Sequence, residues 1–351
     1  MTQVTFIGIG SPAPPVGELV STELMYERYT ALTGKAPNPR FVEVVRDKVG
    51  VETRWLSGRS AVDLGLEAAS LACADAAAND PDFDPTKIKL ILGGGSTPDY
   101  AYPALANRVQ HHLGIPAFGA DGFDILAACA TFGQAARIAA ELMLFRGLTY
   151  ALVVLPEPML SAQADLRQED AVLWGDGAGA IVLKCSDSDS RQSGVLLSAG
   201  GMDGLHVGLA YSAGLGAHAN LGDVRHATLT NGPALQRYVL EHVPDMIRCL
   251  LVGAGMIGSV GEKLSAEQSA TTWLLPHNAN ASMCARIGER IGLGPDRVLT
   301  VLADRGNTSS ASIIITLERH ARLGTFKSGD RLILTSFGAG ITANAILYIW
   351  P

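Results

Sequence analysis

The chain has 351 residues, of which 48% are apolar and 17% charged, and its formal net charge is −7. This length suffices for two domains or for one duplicated domain. The low charge content and the 39 glycines together indicate a compact, extensively buried α/β protein. The charges form no basic stripe, which argues against a nucleic-acid partner.

The five cysteines are scattered along the sequence, and no Cys or Cys/His group has the spacing of a metal site. An odd number of separate cysteines is typical of a reducing compartment, where no disulfide framework forms. The first residues also lack the basic segment of a secretory leader. These features predict a cytoplasmic protein without a metal ion.

Hydrophobic periodicity predicts alternating strands and helices in the first half of the chain. In chain order it predicts a strand over 4–9, a helix over 60–78, a strand over 89–92, a helix over 102–113, and strands over 150–155 and 178–184. The polar, turn-rich stretch 186–194 that follows is the expected junction. We therefore divide the chain into two halves, residues 1–190 and residues 191–351.

The second half begins with a predicted strand over 195–201, followed by a predicted helix over 233–256 that Pro244 should break or kink. The uncharged stretch 332–350 has about the length of a membrane-spanning helix. Because Gly338 and Gly340 interrupt it, we predict two buried strands around a glycine turn, and no membrane span.

The two halves resemble each other in sequence. Residues 108–115 match residues 286–293 at an offset of 178 (286 − 108), and the same offset separates Cys129 from Asn307 (307 − 129). The repeat predicts two copies of one unit of strands and helices, with Cys129 and Asn307 at equivalent helix starts. Pseudo-twofold symmetry would bring both helix starts to one central site.

Cys129 ends a short apolar run, and a small-residue helical pattern follows it over 134–144. Amide groups and the helix dipole favour the thiolate at the first turn of a helix. A thiolate is the nucleophile that can carry an acyl group. A cysteine among alanines is also compatible with simple packing, because free cysteines are commonly buried.

His277 and Asn307 also lie at the edges of predicted elements. His277 follows the apolar strand 273–276, and strand ends are where α/β folds place their chemistry. Asn307 lies in a loop that enters an apolar helix over 313–322. Alone, His277 could be a core or surface histidine and Asn307 a helix cap. Their combination with Cys129 favours a shared site.

The motifs around these residues resemble those of the thiolase superfamily, and within it the ketoacyl-ACP synthase III group. The likeness covers nearly the whole chain and is carried by AACA at 127–130, GDGAGA at 175–180, WLLPHNAN at 273–280, GNTS at 306–309 and FGAG at 337–340. The resemblance implies a five-layer α-β-α-β-α fold made of two similar halves. It also implies a condensing enzyme that transfers an acyl group to Cys129 and then joins it to a malonyl-type thioester with loss of carbon dioxide.

The resemblance further implies a role for each site residue. Cys129 would be the nucleophile, and the backbone amides of Cys129 and Gly340 would form the oxyanion hole. His277 and Asn307 would donate hydrogen bonds to the enolate formed by decarboxylation. The resemblance implies no cofactor; acyl-CoA or acyl-carrier-protein thioesters are the expected substrates.

Substrate contacts depart from the family pattern. Asn280 matches a residue that contacts the pantetheine arm, but Val44 and Lys48 stand where the family usually has Trp and Arg near the nucleotide of coenzyme A. Because Val44 cannot stack on adenine, a carrier-protein thioester or another thioester is favoured over acyl-CoA as the substrate. Specialised, polyketide-type metabolism is correspondingly favoured over primary fatty-acid synthesis. Tyr102 matches an aromatic that crosses a homodimer interface, although it could be a core residue instead. The resemblance places residues 209–222 where the family builds acyl-pocket walls, although their Gly- and Ala-rich sequence fits a surface loop at least as well.

Two other functions fit parts of the pattern. One is an acyltransferase that passes the acyl group from Cys129 to a hydroxyl or amine without condensation. The other is a non-catalytic partner in a heteromeric synthase, which the presence of Cys129, His277 and Asn307 argues against. A dinucleotide site at Gly8 and Gly10 is disfavoured because the third glycine of that motif is missing.

Overall fold

The computed structural model describes residues 2–15, 18–162, 169–187, 193–212, 227–228 and 231–351. The strands are β1 (Thr2–Gly10), β2 (Leu19–Ser21), β3 (Thr53–Trp55), β4 (Leu90–Gly94), β5 (Asp121–Ile125), β6 (Tyr150–Pro158), β7 (Asp176–Asp187), β8 (Gly194–Met202), β9 (Tyr211–Ser212), β10 (Ala227–Thr228), β11 (Thr272–Pro276), β12 (Arg331–Gly338) and β13 (Thr342–Ile349). The helices are α1 (Thr22–Thr33), α2 (Pro39–Val44), α3 (Ala61–Asn79), α4 (Leu105–His112), α5 (Thr131–Arg146), α6 (Met159–Ala162), α7 (Gly232–Gly253), α8 (Ala266–Ala270), α9 (Ala281–Ile291), α10 (Leu302–Arg305) and α11 (Ser312–Arg322).

Two sheets with the same strand order form the framework. The first sheet has the order β1-β7-β6-β4-β5, and the second has the order β8-β13-β12-β11 when it is followed in the corresponding direction. Val298 forms a parallel bridge with Leu274 on the far side of β11, where the first sheet has β5. The strands of each half therefore follow one topology, as the sequence repeat predicts. The predicted boundary at 190/191 lies outside the described residues.

The sheets are stacked with helices between them and on both outer faces. Helices α5 and α11 pack between the two sheets, α3 and α4 cover the outer face of the first, and α7 and α9 cover the outer face of the second. The central core is continuous from one sheet to the other through Phe132 and Leu317. This arrangement is the expected five-layer α-β-α-β-α fold.

Parallel pairing places several loops at one edge of the structure. Strands β5 and β6 both run parallel to β4, and β11 runs parallel to β12. The carboxyl ends of parallel strands meet at the same edge of a sheet, which is where α/β folds form their sites. The residues at or just beyond these ends are Ser96, Cys129, Glu157, His277 and Gly338.

Most predicted elements are present, and two differ from expectation. Helix α4 begins at Leu105 rather than at 102, because the Asp124 carboxylate accepts hydrogen bonds from the amides of Leu105 and Ala106 and so caps the helix there. Helix α7 continues through Pro244, so of the predicted break or kink the break is wrong. Pro244 is buried on the face that packs against α9 and the second sheet, and this packing maintains the helix.

The stretch 332–350 forms the antiparallel strands β12 and β13, as predicted. Within the described ranges, no helix is both long enough and apolar enough to cross a membrane.

The repeat is correct, but its proposed alignment of Cys129 with Asn307 is wrong. Helices α5 and α11 start 181 residues apart (312 − 131), and so do the short 3₁₀ turns Ala128–Ala130 and Ser309–Ala311 that precede them. Ala128 and Ser309, the first residues of these turns, share unusual positive φ angles of 48° and 47°. The counterpart of Cys129 is therefore Ser310, because the second half carries three additional residues before its central helix.

Candidate active site

Cys129 lies in the 3₁₀ turn that leads into the central helix α5. The Thr131 hydroxyl holds this turn, since it donates to the Ala128 carbonyl at 2.7 Å and accepts from the Ala127 amide at 3.1 Å. Cys129 is half-buried, and its thiol is at the amino end of the helix, as the sequence predicts. The helix start thus directs the sulfur towards the second half of the chain.

The electrostatic environment of Cys129 differs from the sequence expectation. Burial raises the pKa of the Cys129 thiol to about 12, a hydrogen bond from Ser309 lowers it, and the nearby Glu157 carboxylate raises it further. Desolvation of a charged sulfur therefore outweighs the groups that favour the thiolate. The resting residue is a thiol, and its proton must be removed before it can attack a thioester.

His277 is delivered by the end of β11 and is 2% exposed. Its backbone amide donates to the Thr335 carbonyl at 2.8 Å, which ties it to β12, and the Phe337 ring packs edge-on against its imidazole. Burial lowers the pKa of His277 to about 4. The imidazole is consequently neutral near neutral pH.

The hydrogen bonds around Ser312 assign the tautomer of that neutral imidazole. The Ser312 hydroxyl donates to the Ser309 carbonyl at 2.8 Å, so at 3.1 Å it accepts from His277 Nδ1–H. The proton is therefore on Nδ1, and Nε2 is an acceptor in the resting state. A hydrogen bond from Nε2 to an enolate requires the imidazolium form.

Asn307 is held by its own backbone. Its amide donates to the Leu173 carbonyl at 2.9 Å, and its carbonyl accepts from the Gly175 amide at 3.1 Å. Its side-chain Oδ1 accepts from the Ser309 amide at 2.9 Å. Because this bond fixes the orientation of the carboxamide, Nδ2 remains as an N–H donor that is present at any physiological pH.

Ser309 connects the three residues that the sequence singled out. Its hydroxyl lies 3.3 Å from Cys129 Sγ, its amide bonds Asn307, and its carbonyl accepts from Ser312, the partner of His277. Cys129, His277 and Asn307 are thus assembled around one serine. Ser309 ends the GNTS motif, but the sequence pattern alone assigns it no role.

Glu157 is a second residue that sequence analysis missed. It is fully buried at the end of β6, where its Oε1 accepts from the Ser310 amide and hydroxyl at 3.1 and 2.5 Å. Its Oε2 accepts from the Ser96 amide at 2.8 Å. Burial raises the pKa of Glu157 despite these donors. The sequence feature that could have identified it is that Glu157 is the single charged residue in the apolar run 150–160.

The turn after β12 approaches Cys129 through Gly338. A Cβ built at Gly338 would stand 2.8 Å from the Cys129 amide nitrogen, whereas one at Gly340 would have only Thr342 within 4 Å. Gly338 is therefore the glycine that the fold requires for close approach to the nucleophile's backbone. The proposed oxyanion role of Gly340 stays a prediction.

Two of the predicted substrate contacts, Lys48 and Asn280, lie on segments that pack against each other. Lys48 is exposed on the turn Val45–Val49, which packs against α9, and Gly50 at the end of this turn approaches Ala281. Asn280 caps α9, with its Oδ1 accepting from the Met283 amide at 3.0 Å. The structure brings the Lys48 segment and Asn280 together, with the Asn280 Nδ2 group not used by the cap.

Tyr102 is 84% exposed, so the alternative of a core aromatic is wrong. Of the expected acyl-pocket segment 209–222, residues 213–222 lie outside the described residues.

The fold has five layers and is duplicated. One half places a cysteine at the start of a central helix, and the other half contributes a histidine and an asparagine. These features define a thiolase-fold acyltransferase. Two family models match the chain: 3-oxoacyl-[acyl-carrier-protein] synthase III over residues 123–204, and the C-terminal part of the same enzyme over residues 262–350. The beta-ketoacyl-[acyl-carrier-protein] synthase III of Synechococcus elongatus is 30% identical over 354 residues, covering 99% of this chain and 97% of the relative. The chain belongs to the beta-ketoacyl-[acyl-carrier-protein] synthase III family.

Solved structures agree with this assignment. The 3-oxoacyl-(acyl carrier protein) synthase III of Pseudomonas aeruginosa superimposes with a TM-score of 0.80 at 27% identity, covering 99% of this chain and 98% of the other. The priming beta-ketosynthase of a polyketide biosynthetic pathway superimposes with a TM-score of 0.81 at 26% identity, covering 99% and 96%. The chain is therefore similar both to enzymes named for fatty-acid synthesis and to one named for polyketide synthesis.

Proposed function

We propose that this synthase III-type enzyme carries an acyl group on Cys129 and condenses it with a malonyl-type thioester to give a β-ketoacyl product. The observation that carries the proposal is the assembly of Cys129, His277 and Asn307 around Ser309. A nucleophile and two groups able to stabilise an enolate are the parts that this reaction needs.

In the first half-reaction, Cys129 Sγ attacks the carbonyl carbon of the acyl thioester. The developing oxyanion is met by the Cys129 amide and by an amide of the turn after β12, for which Gly340 is our candidate. The bond from the carbonyl carbon to the donor sulfur breaks. The thiol proton of Cys129 ends on that sulfur, which departs as a free thiol.

In the second half-reaction, the malonyl-type donor loses carbon dioxide. The resulting enolate oxygen accepts a hydrogen bond from Asn307 Nδ2–H. Its negative charge favours uptake of one solvent proton by His277, whose imidazolium then donates to the same oxygen. The carbanion attacks the acyl carbonyl, a carbon–carbon bond forms, the bond to Cys129 sulfur breaks, and the departing thiolate receives that proton from His277 by way of solvent. A site that works by these hydrogen bonds needs no cofactor.

Acyl-CoA or acyl-carrier-protein thioesters are the proposed substrates, with Asn280 and Lys48 as contacts for the pantetheine arm and its phosphate end. Val44, which cannot stack on adenine, supports a carrier-protein thioester as the substrate and specialised, polyketide-type metabolism as the pathway. The proposed location of the enzyme is the cytoplasm.

We also propose a homodimer. Strand β5 is an edge strand of the first sheet and carries the exposed Phe123, and the exposed Phe118 and Leu126 flank it in the chain. Exposed apolar patches of this kind mark interaction surfaces. We expect Leu126→Arg to convert a dimer into a monomer in sedimentation velocity. An unchanged sedimentation coefficient would contradict the assignment of this face.

The function is tested by intact-protein mass spectrometry with a panel of acyl-CoA and acyl-carrier thioesters, followed by a malonyl-carrier donor. Wild-type enzyme should gain an acyl adduct that the donor clears with release of carbon dioxide. Cys129→Ala should gain none, whereas Cys249→Ala should behave like wild type, because Cys249 is exposed on α7 and remote from the site. An adduct cleared only by a hydroxyl or amine acceptor would make the protein a plain acyltransferase, and the absence of any adduct would contradict both.

A further inference from the structure

A chain of hydroxyl groups connects the sulfur of Cys129 to the buried carboxylate of Glu157. Cys129 Sγ lies 3.3 Å from Ser309 Oγ, which lies 2.8 Å from Ser96 Oγ, which in turn lies 3.3 Å from Glu157 Oε1. Each hydroxyl can accept one hydrogen bond and donate the next. The three links therefore form a continuous path for a proton.

The path supplies what Cys129 needs before it can attack, namely a group that accepts its thiol proton. Cys129 rests as a thiol because burial disfavours the charged sulfur. Within the described part of the chain no hydrogen bond joins His277 to Cys129, and the proton of His277 is directed towards Ser312. Glu157 is the carboxylate connected to the sulfur through hydrogen bonds.

We propose that Glu157 is the proton acceptor for Cys129, acting through Ser96 and Ser309. This proposal rests on the proposed function, because it takes Cys129 as the acyl carrier. It adds the group that activates the Cys129 thiol. Glu157 and Ser96 act through Ser309, so they are positioning and relay residues, whereas Ser309 contacts the reacting sulfur.

The proton balance of the step is complete. In the resting structure the Ser309 hydroxyl donates to Cys129 Sγ, so it first rotates to donate to Ser96 Oγ instead. The Cys129 thiol then gives its proton to Ser309 Oγ, Ser309 passes its own hydroxyl proton to Ser96, and Ser96 passes its proton to the Glu157 carboxylate. The products are a thiolate, two unchanged serines and a neutral carboxylic acid, so the buried site keeps a single negative charge throughout. When the donor thiolate leaves, it takes a proton from Ser309, and the relay runs in reverse to restore the Glu157 carboxylate.

Burial of Glu157 supports this role. Desolvation raises its pKa, which makes the carboxylate a stronger base than an exposed glutamate. The four hydrogen bonds from Ser96 and Ser310 keep it positioned at the end of β6.

The test is the rate at which iodoacetamide alkylates Cys129 as a function of pH, measured by peptide mass spectrometry. Alkylation needs a thiolate but no acyl substrate, so it answers this question even if the protein fails to condense acyl groups. The exposed Cys249 in the same molecule is the internal reference. Ser309→Ala and Ser96→Ala should slow alkylation of Cys129 by at least about tenfold at neutral pH, because each breaks the path while the Glu157 charge stays in place. Ser309→Ala should also move the midpoint to higher pH, since it loses the hydrogen bond that lowers the thiol pKa.

Ser70→Ala is the control. The Ser70 hydroxyl bonds the Leu66 carbonyl and His112 on the outer helices α3 and α4, away from the path. Its alkylation rate should stay within about threefold of wild type. Ser96→Thr, which retains a hydroxyl, should restore the wild-type rate. Alkylation of Cys129 in Ser309→Ala at the wild-type rate and midpoint would overturn the proposal.

Discussion

The backbone of Gly338 lies directly against the amide of Cys129. A methyl group at position 338 would stand 2.8 Å from the Cys129 nitrogen and 2.9 Å from the Ala130 nitrogen, closer than real Cβ atoms approach. The φ angle of Gly338 is not positive, so this glycine is required for close approach rather than for an unusual backbone conformation. The contact joins the end of β12 to the start of α5, and therefore joins the two halves of the site.

Gly338→Ala is expected to slow acylation of Cys129 by about two orders of magnitude, because separating these backbones moves an amide away from the developing oxyanion. Single-turnover acylation, followed by mass spectrometry, measures the effect. Gly201→Ala is the matched control, since Gly201 lies on β8 of the same sheet and a Cβ there meets nothing within 4 Å. Equal acylation rates in the two variants would show that the Gly338 contact is not part of the catalytic geometry.

Asn307→Asp separates the two uses of the Asn307 side chain. The aspartate keeps an oxygen that can accept from the Ser309 amide, but it loses the Nδ2–H donor. We expect condensation to fall by about two to three orders of magnitude while acylation falls much less. His277→Ala should show the same direction of effect. Equal loss of both steps in the Asn307 variant would contradict the assignment of Asn307 to the enolate.

The sequence identified the parts of the site that local patterns encode. Cys129 and His277 follow apolar runs that must end at the edge of a sheet, and Asn307 precedes an apolar helix, so their positions at element edges follow from periodicity. The duplicated topology likewise follows from the matching segments of the two halves. These features depend on residues close together in the chain.

The missed features depend on contacts across the fold. Ser309 and Glu157 are 152 residues apart (309 − 157), and Ser96 is farther still from Ser309, so no local pattern could reveal their hydrogen-bonded path. The thiolate expectation for Cys129 failed for a related reason. A helix start is visible in sequence, but the burial that desolvates the sulfur exists only in the folded protein.

Stability should depend on pH through His277. Burial lowers its pKa from 6.5 to about 4, so between these values the unfolded chain binds a proton that the folded protein does not. The contribution of the neutral, buried His277 to the free energy of unfolding is therefore complete above pH 6.5. It decreases as the pH falls, by about 3 kcal/mol at most.

Urea denaturation of wild type and His277→Gln across this pH range isolates the effect, because the carboxylates that also titrate are common to both proteins. The stability difference between them should shift steadily in favour of the glutamine variant as the pH falls from 6.5 towards 4. A difference that is constant with pH would mean that His277 is not buried in its neutral form.

Asn280 has a structural function and a proposed binding function, and two substitutions distinguish them. Its Oδ1 caps α9 through the Met283 amide, while its Nδ2 is the candidate donor to the pantetheine arm. Asn280→Ala loses both and should lower stability by about 1 kcal/mol while raising KM for the thioester. Asn280→Ser keeps a capping oxygen, so it should retain wild-type stability and still raise KM. If KM rises only in the alanine variant, Asn280 acts on the substrate through the position of α9 and not through its amide.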